Sequence, residues 1–551
     1  MPTTSATGQP DLGEGRAASA YDDLAARFSW QGVAEELGWS GDDVDLGLTI
    51  LDRNVDRANA AIVWVDEDGA AHDVSYRTLA RESSRCAHML RRMGVARGDR
   101  VAGLMPRIPE TIILMVACFK LGAIYVPIFT GFATDGIRFR VENCNAKVLC
   151  THAQFFPRIG PLSNCTIVCV DGHRMQALDF HDELKKEPAE FQNVRVRRDD
   201  PVAIIYTSGS TGMPKGGMLA ANLLASIWPY LRYAVAIRND DRFWPTGDPG
   251  WGYGLICYLT ALAAGGTVVM VRQNLKAPEA LALIARVGVT NLATTPTLLR
   301  EVVALGTDAV KSTECSVHTI TSCGEPLNSE VVQFFRKVWN ISPLDQFGAT
   351  EFGVLVSNYS PPLMEVLAGS MGLGAFGHEI AILDDKGQPV TPGEPGFIAK
   401  RQEPGSLYFL GYWNDKEGTD AVIVNDWIMT GDLVRQDERG YYWFQGRTGD
   451  MIKSSGYRIG PFEVESAILM HPTVAEAAVV GKPDERRGEI VKAFVVLKSG
   501  IVPSPGLSDE LVEQVKQTLG RPHAPREIEF VGDLPKTTTG KIQRYILRQR
   551  G

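Results

Sequence analysis

The segment Tyr206-Thr-Ser-Gly-Ser-Thr-Gly-Met-Pro-Lys-Gly216 follows directly on the apolar run at 202–205. Thr207, Ser208, Ser210 and Thr211 offer hydroxyls, and Gly209, Gly212 and Gly216 let backbone N–H groups approach a ligand closely. Lys215 adds a positive charge. Together these are the parts of a polyphosphate cradle. A solvent-exposed Gly/Ser turn is the bland alternative, and the closing Pro-Lys-Gly after a strand argues against it. The spacing is not that of a P-loop: counted from Gly209, Pro214 stands where the second Gly is needed and Gly216 where the magnesium-binding hydroxyl is needed. A second candidate, Gly372-Leu-Gly-Ala-Phe-Gly377, spells GxGxxG, but strand-like residues follow it in place of a helix, which rejects a dinucleotide site.

The elements around the loop alternate. Residues 60–127 read as strand, helix (closed by Gly94), strand, helix (closed by Gly122) and strand, and the alternation recurs through 160–350. Such order implies mostly parallel sheets covered by helices, an α/β fold. After about 370 short strands and turns take over, a distorted β-barrel-like part; after about 450 a small α+β module follows. The expected organisation is a tail at 1–18, an N-terminal domain at 19–448 and a small mobile C-terminal domain at 449–551. A length of 551 residues already calls for more than one domain. The net charge of −9 argues against a nucleic-acid partner. The nine cysteines form no CxxC pair and no zinc spacing, as in a reducing compartment. No signal peptide is evident, and the apolar stretch 111–127 is broken by Lys120 and Gly122 and too short to span a membrane, so a cytoplasmic protein is expected.

The 206–216 loop resembles the signature of the adenylate-forming (AMP-binding) superfamily: acyl-CoA synthetases, peptide-synthetase adenylation domains and luciferases. SCGEPLN (322–328), FGATE (347–351), TGDLV (430–434), GRTGDMIKSSGYRIGPFEVES (446–466) and LPKTTTGKIQR (534–544) resemble the family's later motifs, in the family's order, over about residues 50–545. The resemblance implies an AMP-forming enzyme that joins a carboxylate to ATP and then transfers the acyl group to a thiol, most like medium-chain and acetyl-CoA synthetase-like enzymes. ATP, Mg²⁺ and coenzyme A are the implied cofactor and co-substrates.

By that resemblance Thr207–Gly212 and Lys215 hold the phosphates, Gly324, Glu325 and Pro326 line the adenine pocket, and Phe347 stacks on the base where relatives commonly have Tyr. Gly348 lies beside them, Thr350 touches the α-phosphate and Glu351 holds the metal. Asp432 takes the ribose hydroxyls, with Arg447 beside it. Lys541 enters from the small domain to bridge carboxylate and α-phosphate. Ser455, Gly456, Tyr457 and Arg458 form the loop that replaces it when the domain turns to admit CoA, with Lys453 contributing. Gly449 sits at the hinge, where relatives usually have Asp or Lys. His471 is either a second metal contact or an ordinary helix-end histidine. Acetate-specific relatives carry Trp at the position of Gly348. The glycine here implies an open channel and an acid larger than acetate: medium-chain, branched or aromatic, with Trp251 and Tyr253 as further walls. Lys541, ten residues from the end of the sequence, is also reachable by an acetyltransferase. Loading of a carrier protein, a luciferase-like oxygenase and an inactive nucleotide-binding scaffold are the other readings; a monomer and a homodimer both remain open.

Overall fold

The computed structural model describes residues 17–172, 177–207, 214–361, 363–454, 457–484, 486–536 and 542–550, without the side chains of 17–19 and Arg458. Of the expected N-terminal tail, residues 1–16 lie outside this range, and Ala17 opens a helix that runs to Arg27.

Two large sheets dominate. In the eight-stranded one the strands Arg100–Leu104, Ile124–Pro127, Val148–Thr151 and Thr166–Cys169 are parallel neighbours. In the nine-stranded one Ala60–Val65, Thr267–Val271, Arg242–Pro245, Asn291–Thr294, Thr319–Cys323 and Leu344–Ala349 run parallel in that spatial order. The nearly uninterrupted apolar runs of Ala60–Val65 and Thr267–Val271 suit strands covered on both faces. The helix Pro109–Leu121 shows the covering: from Thr111 to Leu121 every residue is buried, as expected of a helix that is apolar all round. Its one cation, Lys120, is held by Asp52, Ser84 and the Ala80 carbonyl. Pro109 starts this helix and Gly122, at φ 70°, ends it.

Each sheet turns antiparallel near the site. Pro201–Thr207 pairs with Lys215–Ala220, bringing Thr207 opposite Lys215 across the phosphate-loop motif. Leu344–Ala349 pairs with Gly353–Ser357, with a register shift between Phe347 and Gly348. The later strands, Ile380–Leu383, Gly396–Arg401, Trp427–Gln436 and Tyr442–Arg447, form a third, antiparallel sheet. No helix follows the GxGxxG decoy; the strand Ile380–Leu383 does.

Beyond Arg447 the next strand, Ile452–Ser454, belongs to another sheet, built on the long hairpin Val474–Asp484/Gly488–Leu497. With the helices Pro461–Leu469 and Pro505–Leu519 it encloses its own apolar core of Ile452, Val464, Ile468, Val479, Val495, Leu511 and Val515. The molecule is therefore a large α/β body and a small α+β body, each with its own core.

Candidate active site

A cavity of about 280 Å³ lies between the two bodies. On the large side Gly324, Glu325, Pro326, Asp345, Gln346, Phe347, Gly348, Asp432 and Arg447 line it. On the small side its lining includes Pro461, Phe462, Glu465, Ile542 and Arg544.

Five of the motifs thus meet in one cleft. Gly324 ends the Thr319–Cys323 strand at φ +103°, a conformation open to glycine, and a Cβ there would face open space. Glu325 is turned to Arg300 (2.7 Å) and Thr297 (3.2 Å). Phe347 lies between Phe352 and Phe444, with ring centroids 5.9 and 6.2 Å away. Asp432 is 2 % exposed; Arg447 Nε donates to its Oδ1 at 2.9 Å and Thr430 to its Oδ2 at 2.7 Å. The two strands place Asp432 and Arg447 opposite each other, and the carboxylate holds the guanidinium pKa above its ordinary value. An ionised carboxylate has about four acceptor sites, so two remain for a ligand.

Thr350 is packed against the other hairpin. A Cβ built at Gly217 would stand 2.9 Å from its Cγ2, and one at Gly252 would stand 4.0 Å from its Oγ1. The strand after the phosphate loop, the FGATE turn and the start of the helix Gly252–Ala263 therefore converge on this threonine. Glu351 is buried and accepts from Tyr412 Oη at 2.6 Å; burial raises its pKa, and the nearby Asp432 charge adds to this. No group of three metal-ligating side chains occurs among the described residues. A divalent ion at Glu351 would thus draw most of its ligands from phosphate and water, which is the habit of Mg²⁺. Lys215 is turned toward Asp415 (3.6 Å) and over the Tyr412 ring.

Gly348 has a duty that its sequence position did not reveal. A Cβ there would overlap the carbonyl oxygen of Gly353, so the hairpin itself excludes any side chain, whatever ligand lies beside it. Trp251 packs near Phe129, and the Tyr253 hydroxyl lies 3.4 Å from Gln346 Oε1.

On the small body, Tyr457 is 55 % exposed and lines a hollow with Arg487, Arg521 and Arg526. Lys453 donates its backbone N–H to Glu489, and His471 is bound to Thr473 at 2.7 Å beside Glu510. Gly449 is not in the left-handed region and a Cβ there would meet nothing. Ser208, Gly209, Ser210, Thr211, Gly212, Ser455, Gly456, Lys541 and the Arg458 side chain lie outside the described residues. Ile542, next to Lys541, does line the cleft.

Sequence reasoning missed several groups here. Asp345 is buried, accepts the backbone N–H of Leu327 and Gln346, and has its pKa pushed up to about 8 by burial. Its signal was an acid two residues ahead of FGATE. Arg544 grips both oxygens of buried Glu465 at 2.8 Å. The two lie 79 residues apart, and no local pattern joins them.

Residues 51–413 match the family described as AMP-binding enzyme, and residues 463–541 match its C-terminal domain. An acetyl-coenzyme A synthetase of Bacillus subtilis is 34% identical over 543 residues, 96% of this chain and 94% of that protein. Among solved structures, an acyl-CoA synthetase of Brucella canis matches with TM-score 0.77 and 36% identity over 96% of this chain and 98% of its own. The anthranilate CoA ligase AuaEII, solved in complex with anthranoyl-AMP, matches with TM-score 0.85 and 28% identity over 95% and 99%. With both family domains in order and the motifs meeting in one cleft, the chain belongs to the AMP-binding, adenylate-forming enzyme family.

Proposed function

We propose that the chain is an AMP-forming acyl-CoA synthetase. A carboxylic acid and ATP give acyl-AMP and pyrophosphate; acyl-AMP and CoA then give acyl-CoA and AMP. The observation that carries the reading is the cleft, which a Gly-Glu-Pro turn, an aromatic ring and a doubly held Asp line together, with Thr350 of the adjoining turn packed against Gly217 of the phosphate-loop hairpin.

A carboxylate is already a nucleophile, so the enzyme's work is positioning and charge neutralisation. Gly324–Pro326 and Phe347 take the adenine, and the two acceptor sites left on Asp432 take the two ribose hydroxyls. Thr207–Gly212 and Lys215 hold the phosphates, with the α-phosphate against Thr350. The acid's carboxylate then attacks the α-phosphorus in line, and pyrophosphate leaves. Magnesium, when bound, supplies further neutralisation of the phosphates, and Glu351 is the residue that would hold it. Lys541 bridges carboxylate and α-phosphate during this step. The domain 449–551 then turns about Gly449 and presents Ser455, Gly456, Tyr457 and Arg458 to the thiol. The three arginines around Tyr457 support CoA as the acceptor, since guanidinium groups suit its phosphates. Acetylation of Lys541 would switch off the first step alone.

The acid is larger than acetate: medium-chain, branched or aromatic. The support is that the similar anthranilate ligase acts on an aromatic acid. The test is a pyrophosphate-release screen over a carboxylic acid panel, with CoA, with a pantetheinylated carrier protein, and with neither. Acid-dependent release that CoA accelerates is expected. Acceleration by the carrier alone would reassign the acceptor, and no release with any acid would reject acid activation.

A further inference from the structure

We infer that the acid bears a neutral hydrogen-bonding substituent, a hydroxyl or a carbonyl, and that Gln346, Tyr253 and Thr321 read it. The inference rests on the acid-activating function proposed above and names the kind of acid.

Gln346 is 3 % exposed, lines the nucleotide cleft, and has an amide nitrogen without a hydrogen-bond partner. Its Oε1 lies 3.4 Å from the Tyr253 hydroxyl. That hydroxyl is also 3.4 Å from Thr321 Oγ1 and 3.3 Å from the Tyr230 hydroxyl. Hydrogen bonds between hydroxyl oxygens normally span about 2.5–3.0 Å. These three contacts of Tyr253 are long, the Cys257 thiol shares the same hydroxyl, and the Gln346 amide nitrogen, which carries two donor hydrogens, is unpaired. Proteins seldom leave such a donor in a core, because burying it unpaired is costly. Gln346 lines the cleft, so a ligand that reaches it from there meets its unpaired Nε2 next to the loosely held Tyr253 hydroxyl.

That position suits the acid's body. Tyr253 follows Gly252, against which Thr350 lies, so an acid whose carboxylate meets the α-phosphate at Thr350 extends toward Tyr253. A hydroxyl there accepts from Gln346 Nε2 and the Tyr253 hydroxyl and donates to Thr321 Oγ1; a carbonyl accepts from Gln346 and Tyr253. A plain hydrocarbon displaces solvent from these groups and returns no hydrogen bond. An ionic substituent is excluded as well: Gln, Thr and two Tyr bring no charge, and an unpaired ion is too costly to bury.

The test compares kcat/KM, from pyrophosphate release with CoA, for benzoate against its three hydroxybenzoates and for octanoate against hydroxy- and oxo-octanoates. At least one substituted acid is expected to exceed its parent by about ten- to a hundredfold. Gln346→Leu and Tyr253→Phe are expected to bring that pair within about twofold; Tyr253→Phe, which deletes one oxygen, keeps the test readable if the other variant does not fold. Parents turned over as well as every substituted acid, or a preference unchanged in Tyr253→Phe, would overturn the inference and leave the acyl-CoA synthetase reading standing. Failure of every acid to release pyrophosphate would overturn both.

Discussion

On the large-body wall of the cleft each carboxylate is fastened from within that body: Glu325 by Arg300 and Thr297, Asp345 by two backbone N–H groups, Asp432 by Arg447 and Thr430. On the small-body wall Glu465 is gripped by Arg544 and by the Val479 N–H, and Asp450, just past Gly449, is paired with Arg548. Both walls are internally rigid. Among the described residues, the contacts between them include the Phe444–Phe462 rings, Gly460 tucked under the Gln445 carbonyl, Pro461 against Gly446 and an exposed Lys498–Glu330 pair at 4.0 Å. Two halves that each hold their own carboxylates can keep those contacts intact if their relative placement changes, as the proposed two-step reaction would need.

The comparison breaks most readily at Glu465. Glu465→Ala leaves the part-buried Arg544 guanidinium and the buried Val479 N–H without their partner and is expected to cost about 2–4 kcal/mol, read by denaturant unfolding. A loss below about 1 kcal/mol would mean that the small wall is held by something else. Lys541→Ala sharpens the comparison kinetically. Adenylation should fall by about 10²–10³, while thioester formation from synthetic acyl-adenylate and CoA survives. Equal slowing of both steps would favour one fixed site.

Asp345 tests the large wall through pH. Burial pushes its pKa up to about 8, above the ordinary aspartate value of 3.8. Its contribution to stability is therefore complete below about pH 4 and is lost as pH rises toward 8. Asp345→Asn should flatten the decline in stability across that window, on the order of a few kcal/mol. An unchanged pH profile would show that the carboxyl ionises freely. The smallest effect is expected at Gly348→Ala, about 1–3 kcal/mol from overpacking the hairpin. No loss would show that the hairpin relaxes around a side chain, leaving Gly348 free to act on ligand size alone.

Much of this was legible in the sequence. Gly122 announced a helix end because only a left-handed residue closes that helix, and the strands at 60–65 and 267–271 announced themselves by continuous apolar runs. Gly324, Phe347 and Asp432 were legible through motif order, and one cavity collects them. What stayed hidden depends on distant partners. Lys215 faces Asp415, 200 positions away, and Tyr253 meets Gln346 93 positions away, pairings that no window of sequence contains. Gly348 shows a subtler limit. Its position in FGATE pointed to ligand size, but its need for hydrogen in place of a side chain comes from the backbone of its own hairpin.

The most direct measurement is nucleotide chromatography of a complete reaction with a turned-over acid, ATP, magnesium and CoA. AMP and pyrophosphate are expected in equal amounts, each stoichiometric with the acyl-CoA formed. ADP and inorganic phosphate in that stoichiometry would contradict it, because the cleft would then be serving attack at the γ-phosphate instead of at the α-phosphate beside Thr350.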